Sequence, residues 1–365
     1  MDRNPGGAPP GPAARSRLTR RGILAASAAA AVALGAAGMN IMRSDAPAGT
    51  GREPLIPARN RGLMLYSVRD RITAAPDDSG VPYGFERVLA RVAELGYAEV
   101  EFAGYDQSTE ILGRQITPAE IRRILDDNGL VANGAHTRID PDTFERQMDI
   151  AQTLGMANIG TGADPSGSPY PADWDVAADL WNGLGRRAHA RGLRLYTHNH
   201  AAAYSFLLDE GPPDAAGRPT RSSGTRRLEY FFGRADPRYV FFELDIYWAY
   251  VARFRYRRYV DRSGAERTGL FDPILNVAAN SRRFPLFHAK DGDRDSTRAD
   301  GHVMTPLGEG DIDFQRFFAT IGDPDFRHPN WEQDTAPGGA ANPAQSLEFA
   351  ARSYRNMSEL TVHRR

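Results

Sequence analysis

From residue 62 to about residue 355, short apolar runs alternate eight times with longer amphipathic stretches, and this alternation constrains the fold more than any single motif. Leu63-Met64-Leu65-Tyr66-Ser67 reads as a first strand, and residues 84–95 place Phe85, Val88, Leu89 and Val92 at helical spacing before Gly96 stops the helix. Residues 98–103 read as strand 2. Thr117-Pro118-Ala119-Glu120 then combines a capping Thr, Pro in the first turn and Glu three residues on, a helix start. Strand 3 runs from Leu130 to His136, strand 4 over 157–161, strand 5 over 193–198, strand 6 over 239–244, strand 7 over 284–288, and strand 8 lies around Pro329-Asn330-Trp331-Glu332. Helices are expected over 142–154, 173–191, 224–232, 271–279, 313–320 and about 343–355.

Regular strand–helix alternation implies a parallel sheet. Eight repeats over roughly 300 residues fit a closed α/β barrel, the (β/α)8 TIM barrel, better than an open doubly wound sheet. The open alternative is further weakened because no Gly-x-Gly-x-x-Gly follows strand 1. Two connections, 201–223 and 253–270, exceed ordinary loop length and follow strands 5 and 6, at the end where barrels keep their sites.

The ends of the chain read differently. Residues 1–19 are rich in Pro, Gly, Ala and Arg. Thr19-Arg20-Arg21-Gly22 then opens an alanine-rich apolar run that ends near Gly38. Paired arginines before a weakly apolar stretch resemble a twin-arginine export signal. A membrane anchor is the alternative reading, although the run barely reaches spanning length. The expected organisation is a leader over 1–45, a polar linker over 46–60 and one barrel over 61–358. The expected location is periplasmic or extracellular, or membrane-anchored if the signal stays uncleaved.

The chain has no cysteine, so it has neither a disulfide framework nor thiolate ligands, and a metal must be held by His or carboxylates. Its net charge of −1 provides no global attraction for nucleic acid. In a barrel, chemistry sits at the C-terminal ends of the strands. Strand 5 ends Thr197-His198-Asn199-His200, strand 6 Glu243-Leu244-Asp245, strand 7 His288-Ala289-Lys290-Asp291 and strand 8 Glu332-Gln333-Asp334; strands 2 and 3 end at Glu101 and His136. One such His or Asp is more often a satisfied structural group than a ligand. Four successive strands delivering His, Asp, His and Glu to one rim make a mixed N/O donor set suited to a divalent ion: Mn, Zn, Co, Fe or Mg. Asp245, His288 and Glu332 are the expected ligands, with His198 or His200 as the fourth. Strand alternation puts Glu243 on the same face as Asp245, one layer deeper, and Lys290 on the same face as His288.

These segments, together with Leu65-Tyr66-Ser67-Val68-Arg69-Asp70, Gly96-Tyr97, Ile246-Tyr247-Trp248, Gly308-Glu309-Gly310 and Ile312-Asp313-Phe314, resemble the sugar phosphate isomerase/epimerase family of xylose-isomerase-like barrels. The resemblance spans residues 62 to about 355. It implies a metal held by Asp245, His288 and Glu332, with Glu101 and His136 facing the pocket. The resulting site expectation is a ligand set of Asp245, His288, Glu332 and His198. Proton transfer falls to Glu332, His200 and Glu101, and substrate contacts to His136, Lys290, Trp248 and Tyr66. One departure stands out. Relatives with a His-Asn-His motif continue with an acidic pair, whereas this chain reads Ala201-Ala202-Ala203-Tyr204-Ser205-Phe206.

The expected chemistry is metal-assisted proton abstraction beside the carbonyl of a free or oxidised sugar, leading to isomerisation or epimerisation; β-elimination or hydration of a keto-glycoside shares the first step. Rival readings are a sugar-binding barrel without activity and a metal-dependent phosphoesterase or nuclease, which needs more histidine ligands than His189, His302, His328 and His363 are placed to supply. The run Arg253-Phe254-Arg255-Tyr256-Arg257-Arg258-Tyr259 fits either a solvated insertion or a clamp for an acidic sugar or phosphate. Expected partners are a small sugar or glycoside and the export machinery, with no nucleic acid and with a homo-oligomer left open.

Overall fold

The computed structural model describes residues 51–104, 110–111 and 114–363. The export leader expected over 1–45 lies outside the described residues. No helix among the described residues is long and apolar enough to cross a membrane.

Eight parallel strands form the barrel: β1 Gly62–Met64, β2 Glu99–Phe102, β3 Val131–Ala135, β4 Asn158–Thr161, β5 Arg194–Thr197, β6 Val240–Asp245, β7 Leu286–Ala289 and β8 His328–Trp331. Their order is β3-β2-β1-β8-β7-β6-β5-β4. A parallel bridge between His136 and Gly160, with the Thr137 N–H on the Gly160 carbonyl at 2.7 Å, joins the two ends into a ring.

Helices follow the strands and cover them with their apolar faces. They are α1 Phe85–Glu94, α2 Pro118–Asp127, α3 Phe144–Leu154, α4 Pro171–Ala190, α5 Arg227–Arg234, α6 Pro273–Ala279, α7 Phe314–Ile321 and α8 Gln345–Glu359. In α1 the four residues at helical spacing, Phe85, Val88, Leu89 and Val92, are all buried against the strands. The capping box at α2 forms as its spacing predicts: Thr117 Oγ1 accepts from the Glu120 N–H at 3.2 Å, and Glu120 Oε2 accepts from the Thr117 N–H at 2.7 Å.

Three expectations are corrected. The first strand stops at Met64, and Leu65–Val68 turn into a 3-10 helix. Its apolar residues suit a strand equally well, but the Ser67 hydroxyl accepts the Gln333 N–H at 2.9 Å and folds the segment across the barrel mouth. The helix Ile246–Arg255, which begins directly at the end of β6, is absent from the sequence reading. It is apolar on nearly every side, so it carries little periodic signal, and its start is fixed by Asp245 Oδ1 accepting the Trp248 N–H at 2.8 Å. The linker expected over 46–60 instead contains part of the barrel's lower surface. Arg52–Pro54 pairs antiparallel with Thr361–His363, beyond the expected end at 358, Ile56 is 2% exposed, and Asn60 donates to the carbonyls of Pro324 and Arg327.

The two long connections are ordered. Each contains a hairpin, Glu210–Pro213 with Pro219–Arg221 and Arg258–Val260 with Glu266–Thr268, and the Ser222 N–H donates to the Val260 carbonyl to join them. Buried Arg226 stacks 4.4 Å from the Phe206 ring and donates to the carbonyls of Tyr204, Tyr256 and Gly269, tying both insertions to one guanidinium.

Removal of residues 1–50 is expected to leave the thermal unfolding midpoint of the barrel unchanged. Removal of residues 1–56 exposes the partner strand and deletes buried Ile56, worth about 2–3 kcal/mol. A midpoint lower by roughly 3–5 °C is expected for a chain of this size. Equal midpoints by calorimetry would contradict this placement of residues 51–56.

Candidate metal and sugar site

Side chains that alternate along the strands stack inside the barrel in polar layers. At the bottom, His328 Nδ1 lies 2.9 Å from Glu99, and Asn133 donates to both Glu99 and Asn330. Gly62 is required there: a Cβ on it would lie 1.9 Å from Asn330 Oδ1. In the middle layer Glu101 Oε1 accepts from the Tyr196 hydroxyl at 2.5 Å, and Glu101 Oε2 accepts from Asn330 Nδ2 at 2.8 Å. Glu243 Oε2 lies 2.8 Å from His136 Nε2. His288 reaches down into this layer, with Nε2 3.0 Å from Glu101 and 3.3 Å from Glu243.

The top layer is the rim. His198 from the end of β5, Asp245 from β6, His288 from β7 and Glu332 from the end of β8 each offer one ligand atom, all within 4.8 Å of one another. His288 Nδ1 is 2.7 Å from Glu332 Oε2 and 3.7 Å from Asp245 Oδ2, and His198 Nε2 is 3.3 Å from Asp245 Oδ2. Lys290 is 2% exposed, and its Nζ lies 3.0 Å from Asp245, 2.6 Å from Glu332 and 3.1 Å from Asp334.

Burial and pairing set the charge of these groups. Burial alone raises a carboxylic acid, and it does so for Glu243, which sits beside Glu101 and is pushed well above the usual range. Burial would raise Glu101 as well, but His136 and His288 outweigh it and bring it to about 2. At the rim, burial is again overcome: Lys290 and His198 hold Asp245 low, and His288 and Lys290 hold Glu332 low. Burial depresses His198 to about 3 and His136 to about 4, which keeps both imidazoles neutral and free to ligate. His288 is raised despite burial, because Glu243 and Glu332 face it.

A divalent ion fits this donor set. The carboxylates of Asp245 and Glu332 and the imidazoles of His198 and His288 converge on one spot, and His198 Nδ1 is buried without a hydrogen-bond partner. Above the rim lies a cleft of about 350 Å³, lined by Tyr66, Ala103, His136, His198, His200, Lys290, Glu332 and Asp334.

The supporting shell explains two motifs. In His-Asn-His, Asn199 grips the backbone of Asp245, accepting from its N–H at 3.1 Å and donating to its carbonyl at 3.2 Å. In Gly308-Glu309-Gly310, the backbone N–H groups of Gly308 and Gly310 donate to Asp291 Oδ2, while Gly292 and Ile312 donate to Oδ1. Asp291 therefore locks the loop after β7 and leaves the neighbouring Lys290 to the site.

Most of the expected site residues meet. Asp245, His288, Glu332 and His198 converge at the rim, and Tyr66, His136, His200 and Lys290 line the cleft. Two expected placements are corrected. Glu101 is fully buried one layer below the cleft, because Ala103, two residues on, is the strand-2 residue that reaches it. Trp248 lies beside the cleft: its ring is 5.6 Å from Lys290 Nζ and 5.9 Å from His200, so it supports both without lining the opening. The sequence reading missed Tyr196 and Asn330, although each stands two residues before a rim residue, His198 and Glu332, and strand alternation points to both. It also missed Arg69, whose guanidinium stacks 3.7 Å over the Tyr66 ring and donates to the Asp334 carbonyl. The remaining histidines do not join the rim: His328 is at the bottom, His189 packs on Tyr239, and His302 and His363 lie on peripheral strands.

The sequence matches the model of the xylose isomerase-like TIM barrel family over residues 89–352. The chain belongs to this family. No curated protein sequence matches it. Among solved structures, it resembles a sugar phosphate isomerase/epimerase from Parabacteroides distasonis, with a TM-score of 0.58 and 20% identity over 86% of this chain and 97% of that one. It also resembles the probable 3-DHS dehydratase of petrobactin synthesis from Bacillus anthracis, with a TM-score of 0.54 and 14% identity over 81% and 97% of the two chains. A third is a D-allulose 3-epimerase from Methylomonas sp., with a TM-score of 0.51 and 16% identity over 82% and 97%. At these identities the likeness is one of fold.

Asn199→Ala removes both contacts to the Asp245 backbone and leaves buried groups unpaired, at a cost of about 1–3 kcal/mol. A lower unfolding midpoint is expected, together with weaker binding of divalent metal by titration. Wild-type values for both would contradict the clamp.

Proposed function

We propose that this barrel is a metal-dependent isomerase or epimerase that moves a proton beside the carbonyl of a free or oxidised sugar. The observation that carries this reading is the convergence of His198, Asp245, His288 and Glu332 within 4.8 Å at the floor of an open cleft. His198, Asp245, His288 and Glu332 would hold the ion. When bound, the ion supplies Lewis-acid polarisation of a carbonyl and its neighbouring hydroxyl.

The other steps belong to side chains of this chain. Glu332 is kept ionised by His288 and Lys290 and stands at the cleft floor, so it is the group to take a proton from carbon. Lys290, with its ammonium held by three carboxylates, stays charged and orients a substrate oxygen by hydrogen bonding. His200 is solvent-exposed at the cleft wall and provides the second proton-transfer group that epimerisation needs. This assignment fits the absence of an acidic residue after His-Asn-His, where Ala201–Tyr204 forms a 3-10 turn. Tyr66, stiffened by Arg69, offers an aromatic face to a sugar ring. A second reading, elimination or hydration of a keto-glycoside, uses the same first step, and the structural likeness to a probable dehydratase favours keeping it. The paired arginines Arg20 and Arg21 support export by the twin-arginine route, which suits a protein that folds around a metal before it leaves the cytoplasm.

About one divalent ion per chain is expected in the purified protein. Asp245→Asn and His288→Ala should lower metal content and recover part of their activity at high metal concentration. Glu332→Gln should lose about 10²–10⁴-fold in kcat without such recovery. Full activity in Glu332→Gln would move the base elsewhere. With substrate in deuterated water, incorporation of deuterium at the carbon beside the carbonyl is expected by mass spectrometry. A wild-type enzyme that turns over substrate with no incorporation would argue against a proton exchanging with solvent.

A further inference from the structure

A second cleft of about 370 Å³ opens beside the rim, between the helix Ile246–Arg255 and the hairpin Asp291–Arg294/His302–Thr305. Tyr247, Arg255, Arg298, His302, Met304 and Thr335 line it. It lies next to the catalytic cleft: Tyr247 is two residues beyond Asp245, and Thr335 directly follows Asp334, which lines the first cleft.

The donors and acceptors of this cleft are unlike those of the rim. Arg255 is exposed and has no carboxylate within 4.0 Å among the described residues. Arg298, on the hairpin tip, has only a long 3.7 Å approach to Asp295. Asp300 is the acidic residue lining the cleft, and its Oδ1 is taken by the His302 N–H at 3.1 Å. His302 is 5% exposed, and its Nδ1–H donates to the Asp300 carbonyl at 3.0 Å. That bond fixes the tautomer, so Nε2 is an acceptor, and it is buried without a hydrogen-bond partner. The rings of Tyr247, Tyr250 and Phe254 surround the imidazole at 6.3, 5.6 and 5.8 Å. The wider surroundings are basic: residues 251–270 hold six arginines against two acids in a chain whose net charge is −1.

We infer that this cleft is a subsite for an acidic sugar unit, which places its oxyanion between Arg255 and Arg298 and gives a hydroxyl hydrogen to His302 Nε2. Two guanidiniums recognise a carboxylate or a phosphate ester through forked N–H donors. A buried imidazole acceptor asks for an O–H donor, and an aromatic wall suits a sugar face. The inference rests on the proposed function in one respect, that the reacting unit occupies the neighbouring rim cleft. It therefore assigns the substrate class as a glycoside or oxidised sugar that carries a negative charge away from the reacting carbon.

The test is calorimetric titration of the full-length, manganese-loaded protein with three probes: glucose, glucuronate and glucose 6-phosphate. At least one anionic sugar should bind about tenfold or more tightly than glucose, and that advantage should shrink with added salt. In Arg255→Gln/Arg298→Gln, both side chains being exposed, the advantage should fall below about threefold while glucose binding is unchanged. Preference for glucuronate assigns a carboxylate, and preference for glucose 6-phosphate a phosphate ester. No preference for either anion overturns the inference, as does a preference that survives the double substitution, which would put the anion on the rim. In Asp245→Asn the Arg-dependent preference should persist. Binding that persists in a protein without isomerase activity would leave the subsite standing and remove the proposed reaction. Normal turnover of neutral sugars, unaffected by the arginine substitutions, would do the reverse.

Discussion

The imidazole of His288 is wholly buried, and its two nitrogens face carboxylates in different layers of the barrel. Nδ1 meets Glu332 and Asp245 at the rim, and Nε2 meets Glu101 and Glu243 below. Each buried charge carries a desolvation cost of several kcal/mol, so a polar core of this kind persists only if every member is matched. Here the matching is nearly complete. Tyr196 and Asn330 hold Glu101, His136 holds Glu243, Lys290 holds the rim carboxylates, and burial together with the neighbouring Glu101 pushes Glu243 toward its uncharged form. The barrel interior is thus a column of hydrogen bonds with its surplus of donor atoms at the top. Removing His288 would disconnect the two halves of the column.

The rim owes its geometry to neighbours as much as to its own residues. Asp245 is held three ways: its backbone by Asn199, one side-chain oxygen by the N-terminus of the helix Ile246–Arg255, and the other by Lys290 and His198. A carboxylate fixed in this way has one remaining direction in which to act, toward the point shared with His288 and Glu332. The same helix that caps on Asp245 forms one wall of the adjoining basic cleft. Asp245, the cleft wall and the insertion after the helix are therefore one continuous stretch of chain, tied to the other insertion by buried Arg226.

Much of this arrangement is legible in the sequence. Eight alternations give the barrel, and the polar residues ending strands 5 to 8 give the rim, because a parallel barrel has one end at which all strands terminate. Period-two alternation places Glu243 beneath Asp245 correctly and would have found Tyr196 and Asn330. The parts that were not legible have specific causes. The helix after Asp245 is apolar on almost all sides and lacks a stripe. The strand at Arg52–Pro54 is short and polar, and only pairing with Thr361–His363 defines it. Glu101 reads as a strand end, but Ala103, just past the end of β2, reaches the cleft in its place. The hairpin carrying Arg298 and His302 has no pattern that separates it from a loop, so the basic cleft emerges only in three dimensions.

Anomalous diffraction from crystals grown with manganese measures the central claim most directly. The account predicts a single peak roughly 2.0–2.3 Å from ligand atoms of His198, Asp245, His288 and Glu332, with the Lys290 ammonium displaced toward Asp334. A peak in the lower layer among Glu101, His136 and Glu243, or no peak at the rim with manganese at millimolar concentration, would contradict it.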